Sequence, residues 1–179
     1  LRTEIPKSCF IQASLEHQHD VEAVLGEGDW RSMVRMGLKR EDFVPASGTE
    51  FVEPITHADT AALMSLYRYY PDHFFEPYQL ESGLYYGIWE DGKLVSAAGV
   101  HVVSERFNIV ALGNIVTHPD YRGRGLAVAC TSTILEAAFS RVSIAALSTA
   151  STNLSAIQAF RKVGFNDHCG FFEGPLEVQ

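Results

Sequence analysis

A basic, glycine-rich turn set between a strand and a helix constrains this chain more than any other feature. Ile109–Thr117 reads as an apolar strand, and Leu126–Phe139 reads as a helix with Ala127, Cys130, Ile134 and Ala138 on one face. Between them runs Pro119-Asp-Tyr-Arg-Gly-Arg-Gly-Leu-Ala127. Val142–Thr149 follows as a strand that is small and apolar on both faces, the pattern of a buried parallel strand. Strand, helix and strand make a βαβ unit. A strand that ends in such a turn and opens into a helix aims free backbone N–H groups, and the positive end of the helix dipole, at one point. That geometry suits a phosphate or pyrophosphate. The plainer reading gives Gly123 and Gly125 only a tight turn.

Composition narrows the ligand. The chain has 179 residues, 46% of them hydrophobic, enough for one domain of ordinary size with a core of its own. Its formal net charge is −8, which argues against nucleic acid or an anionic membrane as a partner. The basic turn is a local feature of an acidic protein and fits a small anionic ligand better than a polyanion. Cys9, Cys130 and Cys169 lie far apart, with no Cys-x-x-Cys or Cys/His cluster, so no metal site is expected. The odd count argues against a disulfide framework and for a reducing, cytoplasmic setting. No apolar run reaches transmembrane length and no signal peptide is visible. Beginning at Leu1 rather than Met, the chain reads as a fragment or a processed product.

The remaining elements order themselves around the βαβ unit. Cys9–Ala13 reads as a strand, Val21–Leu25 as helical, and Trp30–Leu38 as a short strand or helix. Pro45-Ala-Ser-Gly48 looks like a linker, which sets a boundary between an N-terminal segment, 1–48, and a domain at 49–179. Phe51–Ile55 opens that domain. Thr56-His-Ala-Asp59 is a capped helix start, and Pro71 is expected to end the helix. An aromatic stretch follows, from Tyr67 to Tyr78. Leu84–Trp89 and Lys93–Val103 read as strands joined by a hairpin at Glu90-Asp91-Gly92. Asn153–Lys162 is a second helix stopped by Gly164, and a last strand is expected within 168–178. The fold class is α/β, a mixed sheet flanked by helices.

The turn is not a nucleotide P-loop, since no Lys-Ser/Thr follows its last glycine, and it is not Gly-x-Gly-x-x-Gly. The run Asn114-Ile-Val-Thr-His-Pro-Asp-Tyr-Arg-Gly-Arg-Gly-Leu-Ala127 instead resembles the acyl-CoA motif of the GCN5-related N-acetyltransferases, Arg/Gln-x-x-Gly-x-Gly/Ala, with Arg122, Gly125 and Ala127 in the matching places. A second signature of that family, Asn…Ala-Ile…Tyr-x-Lys-x-Gly-Phe, resembles Asn153, Ala156-Ile157 and Phe160-Arg-Lys-Val-Gly-Phe165. The resemblance covers roughly residues 50–179.

The resemblance implies a sheet that splays between two parallel strands, and acetyl-CoA as cofactor without a metal. The pantetheine arm would enter the splay and pair with Ile115, Val116 and Thr117, and the Val116 N–H would polarise the thioester. The pyrophosphate would lie on the amides of Gly123, Arg124, Gly125, Leu126, Ala127 and Val128, with Arg122 and Arg124 adding charge. Asn153 and Phe160 would contact the cofactor. The implied reaction is transfer of an acetyl group to a primary amine on a small molecule or peptide. Here the chain departs from the pattern. The usual acid, a tyrosine, is Phe160, and two positions used for bases in the family hold Ser148 and Ala111. Catalytic competence is therefore open, and the alternative is a CoA-binding sensor or interaction module.

Other residues remain for the chemistry. His101, between Val100 and Val102, has an ordinary pKa suited to base work, or it is a buried, hydrogen-bonded structural residue. Glu105, at a strand end, is a second base candidate or a solvated loop carboxylate. Asn114 is a candidate for hydrogen bonding substrate. His118, before Pro119, reads as structural. In the aromatic stretch, Tyr70 and Tyr78 are the pocket candidates, while Phe74 and Phe75 read as packing on the sheet. The N-terminal segment, 1–48, reads as the end of a preceding domain, with 49–179 as the acyl-CoA N-acyltransferase domain that the resemblance implies, and is expected to pack on the core or to form a homodimer contact.

Overall fold

Asp91 and Gly92, with φ of 50° and 74°, make the tight two-residue turn expected of an Asp-Gly hairpin. In the computed structural model, which describes residues 6, 8–71 and 73–177, that hairpin joins β4 (Tyr86–Glu90) to β5 (Lys93–Ser104). The chain divides into two units: residues up to Met36, Ser148–Ile157 and the chain from Asp167 on form one, and Gly37–Leu147 with Gln158–Asn166 forms the other.

In the first unit, β1 (Ser8–Ser14) runs antiparallel to β8 (Asn166–Glu177), from Ser8 opposite Glu177 to Ser14 opposite Phe171. β8 in turn neighbours β2 (Arg31–Lys39), which settles the strand-or-helix alternative for Trp30–Leu38 in favour of a strand. Trp30 packs edge-on against Phe172 at 5.3 Å. The last strand begins two residues before the expected span, and Val178 lies outside the described residues. α1 (Gln18–Leu25) completes this unit.

The second unit holds the order β7-β6-β5-β4-β3, with β3 (Glu53–Pro54) a two-residue strand inside the Phe51–Ile55 segment. β3, β4, β5 and β6 (Ile109–Thr117) pair antiparallel, and β6 runs parallel to β7 (Ile144–Ala150). The parallel register runs from Ile109–Ile144 to Ala111–Ala146 and ends there, so residues 112–117 pair with β5 alone. This is the splay that the resemblance implies, in a mixed α/β sheet.

Helices cover both faces of β5. The capping box read from the sequence opens a single helical turn, His57–Asp59, that leads into α2 (Thr60–Tyr67): the Thr56 N–H donates to Asp59 Oδ2 at 2.8 Å and the Ala58 N–H donates to Thr56 Oγ1 at 3.3 Å. It ends before Pro71, so the proline lies beyond the helix rather than at its stop. Leu63, Leu66 and Tyr67 of α2 pack with Phe75, Leu80, Tyr85 and Ala97 in one core cluster. Ser96, the neighbour of Ala97 and pointing the other way, bonds the Cys130 thiol of α3 (Leu126–Ala138). Burial pushes that thiol up to about 12, so Cys130 packs as an inert apolar residue. α4 (Leu154–Arg161) runs out through a turn to Gly164, whose φ of 104° suits glycine; a β-carbon there would also fall 2.3 Å from the Asp42 carbonyl oxygen.

Candidate acyl-transfer site

Two irregularities in the β5–β6 pairing build one half of the site. Between Ala97–Val116 and Gly99–Gly113 the register slips by one residue on β6, and Asn114 takes the left-handed φ of 54°. Between Val100–Leu112 and Val102–Ala111 it slips on β5, and the extra residue is His101. Gly99 and Gly113, paired between the two bulges, leave room on the sheet face for two rings. A β-carbon on Gly99 would lie 2.1 Å from the Tyr85 ring, and one on Gly113 would lie 1.8 Å from His101 Nε2. The two rings thus take up the space that two side chains would have filled.

Asn114 is a hub of buried hydrogen bonds. Its Oδ1 accepts from the Phe74 N–H at 3.0 Å, and its Nδ2 donates to Tyr85 Oη at 2.9 Å and Gln79 Oε1 at 3.1 Å. Its carbonyl accepts from Tyr67 Oη at 3.0 Å, and Tyr85 Oη donates to Gln79 Oε1 at 2.9 Å. Burial pushes the Tyr85 hydroxyl up to about 12 and raises Tyr67 further, so both remain neutral donors. Asn114 is 3% exposed and both its amide protons are engaged. It anchors the aromatic loop to the bulge, a role different from the substrate contact read from sequence.

His101 is exposed and makes no hydrogen bond among the described residues. The buried, hydrogen-bonded reading of this residue does not hold. The part of the ring that packs on the sheet lowers its pKa, which favours neutral imidazole. Phe74 stands edge-on to it, centroids 6.5 Å apart. The loop rings divide differently from the sequence reading. Phe75 is buried at 5% exposure, but Phe74 is 63% exposed beside His101; Tyr70 and Tyr78, the expected pocket residues, are 36% and 64% exposed. Period counting cannot separate adjacent phenylalanines in an irregular loop, and the anchoring bond to Asn114 is what turns Phe74 outward.

The turn supplies the other half. Pro119–Tyr121 makes a single helical turn capped by His118, whose Nδ1 accepts from the Asp120 N–H at 3.3 Å. Gly123 and Gly125 then take φ of 77° and 80°, and Gly125 opens α3. None of the amides from Gly123 to Val128 donates to a protein group among the described residues. Six N–H groups without a protein acceptor among the described residues, in the turn and at the helix start, fit a pyrophosphate. The two arginines are already engaged. Arg124 forks onto Glu90 at 3.2 and 2.5 Å, which raises its pKa, and Arg122 Nε donates to the Thr117 carbonyl at 3.3 Å. A cavity of about 650 Å³ opens beside Gly125, lined in part by Phe51, Lys162 and the Glu90–Arg124 pair.

The other candidates are placed as follows. Ile115 sits at the β6 bulge; the Val116 carbonyl accepts from Ser96 Oγ at 3.2 Å, and Ser96 Oγ also bonds Thr117 Oγ1 at 2.9 Å. Glu105 is drawn to Arg141, 2.9 Å from its Nε, in the turn beyond β5. Phe160 is 6% exposed and packs edge-on against Phe165 at 6.1 Å. In the first unit, Asn153 Oδ1 caps α4, accepting from Ser155 Oγ at 3.0 Å and the Ala156 N–H at 3.2 Å. Among the described residues no three His, Cys, Asp or Glu side chains gather as a metal would need, and no helix is long and apolar enough to cross a membrane.

Comparison with known proteins places this geometry. Solved structures share the fold at low identity. An acetyltransferase of the GNAT family from Novosphingobium aromaticivorans superposes with a TM-score of 0.69 at 17% identity, over 96% of this chain and 75% of its own. One from Colwellia psychrerythraea gives 0.64 at 15%, over 96% of this chain and 65% of its own. A GCN5-related N-acetyltransferase from Kribbella flavida gives 0.69 at 14%, over 95% and 68%. The chain thus spans about two thirds to three quarters of these relatives. No curated protein matches the sequence. The model of the acetyltransferase (GNAT) family matches residues 52–165, well over half of the chain, and this protein belongs to that family.

Proposed function

We propose that the protein transfers an acetyl group from acetyl-CoA to a primary amine, with His101 as the general base. The observation that carries this reading is the pairing, on β6, of six free amides just past its end with a bare imidazole over its bulge. The amides of Gly123 to Val128 would hold the pyrophosphate. The unpaired side of residues 112–117 leaves backbone groups for the pantetheine arm. Acetyl-CoA supplies an activated thioester. What the chain supplies is position, a donor and a base.

In this scheme the amine nitrogen attacks the thioester carbonyl. A β6 backbone N–H on the side without a strand partner stabilises the developing oxyanion, the C–N bond forms and the C–S bond breaks; Val116, the donor expected from the resemblance, is not in that place, because it pairs with Ala97 and its carbonyl faces Ser96 of β5. Neutral His101 takes the amine proton. A lowered pKa keeps the imidazole in its accepting form at neutral pH. No side-chain acid is assigned to the departing thiolate, because Phe160 is buried and has no proton to give. A thiolate with a pKa of about 8.5 can leave unaided and take its proton from water.

Phe160 also supports a second reading, a domain that binds CoA without turnover. One assay separates them: acetyl-CoA affinity by calorimetry, with thiol release measured across a panel of primary amines. The transferase reading expects both. Binding with no release for any amine favours the second reading, and no binding removes both.

A further inference from the structure

Beside His101 the loop between α2 and β4 exposes aromatic surface. Phe74 is the central case. Its backbone N–H is fixed by Asn114 Oδ1, itself held by Gln79 and Tyr85, yet the residue is 63% exposed. The neighbouring Phe75 shows that the same loop can bury a ring, at 5% exposure. The buried network therefore spends its bonds on holding an aromatic face out beside His101. Tyr70 and Tyr78, both on the same loop, expose further ring surface. A fixed aromatic contributes contact area at little entropic cost, which is how binding sites gain selectivity for apolar bodies.

Charge restricts the ligand further. The protein carries a net charge of −8, and the loop adds Glu76 and Glu81 against Arg68. This attracts an ammonium ion and disfavours an acidic acceptor. Binding of the cation requires loss of a proton before attack, and His101 at the ring edge of Phe74 is placed to receive it.

We propose that Phe74 forms the specificity wall of an acceptor subsite for small primary amines with an aromatic or bulky apolar body, arylalkylamines being the fitting class. The proposal rests on the transferase reading for its biological sense, but amine binding tests it separately. Phe74 is a specificity-determining residue here, not a reacting one.

The test uses 2-phenylethylamine and 1,4-diaminobutane as probes on the full chain. Binding is followed by the NMR signals of the histidine rings, with His101 assigned by His101→Gln. Saturable shifts of the His101 signals by phenylethylamine at concentrations at least tenfold below those needed for diaminobutane are expected. Phe74→Ala, at an exposed position, should weaken phenylethylamine about tenfold and leave diaminobutane and acetyl-CoA affinities within twofold; Phe74→Leu should fall between. In turnover, the loss should appear in KM for the aromatic amine with kcat within about threefold. Tighter binding of diaminobutane, no shift at His101, or an unchanged response in Phe74→Ala would overturn the proposal. Phenylethylamine binding without thiol release from it or from any other primary amine of the panel would leave the subsite standing and remove the transferase reading instead.

Discussion

Gly113 lies beneath the imidazole of His101 so closely that a β-carbon on the glycine would fall 1.8 Å from Nε2. The contact fixes the proposed base over the β6 bulge. Gly113→Ala should push the ring off the sheet and lower kcat/KM by about 10- to 100-fold, on the scale of a misplaced catalytic group. Acetyl-CoA affinity, measured by calorimetry, should stay within threefold. A variant with full activity would show that the ring position does not matter to the chemistry.

The lowered pKa of His101 gives a pH dependence of defined sign. A histidine whose folded pKa is depressed binds its proton less readily in the native state, so protonation opposes both folding and base function. Activity should therefore rise with pH along a limb below the ordinary value of 6.5 and be level at pH 7. His101→Gln should cut kcat/KM by about 100-fold or more and abolish that limb. Survival of the limb in the variant would assign it to another group.

Asn114 offers a test of stability rather than chemistry. Asn114→Ala strands the Phe74 N–H and removes one partner each from Tyr85 and Gln79, which should cost about 2–4 kcal/mol in urea unfolding. Part of that comes from the left-handed backbone, so Asn114→Gly should be about 1 kcal/mol less damaging than alanine. Equal losses for the two would mean that strain at this φ is negligible.

At the turn, space and charge can be separated. Gly125 has nothing within 4 Å of an ideal β-carbon, so Gly125→Ala should cost about 1 kcal/mol through its φ of 80° and leave acetyl-CoA affinity within about threefold. Gly125→Glu places a carboxylate at the helix start and should abolish detectable binding while circular dichroism is unchanged. Unaltered affinity in Gly125→Glu would put the pyrophosphate elsewhere.

Neutralising the partner of Arg124 addresses what the arginine does. Glu90→Gln breaks an exposed pair, so the urea unfolding midpoint should not move. The freed guanidinium should tighten acetyl-CoA about two- to fivefold in low salt, a gain that added salt removes. An effect that is independent of salt would point to a change in shape instead.

What was legible in the sequence was local. The Asp91-Gly92 hairpin, the Thr56–Asp59 capping box, the strand at Ile109–Thr117 and the glycine turn into α3 follow from residue preferences within a few positions, and each forms as read. The family motifs are local in the same way, because the turn must present its own backbone to a ligand. Pro71 misled, since the helix had already ended at Tyr67, and a proline past a helix stop carries the same sequence signal as one at it.

The sequence by itself determined a strand–turn–helix built to hold an anion, because that geometry needs only neighbours along the chain. Tertiary structure decided what stands opposite it. Two glycines fourteen residues apart make room for the Tyr85 and His101 rings only when β5 and β6 pair with bulges in both strands. Asn114 becomes an anchor, His101 a bare imidazole and Phe74 an exposed wall through contacts between segments distant in sequence. No periodicity along the chain records such contacts, since they depend on register, and a one-residue slip reverses the face each side chain takes.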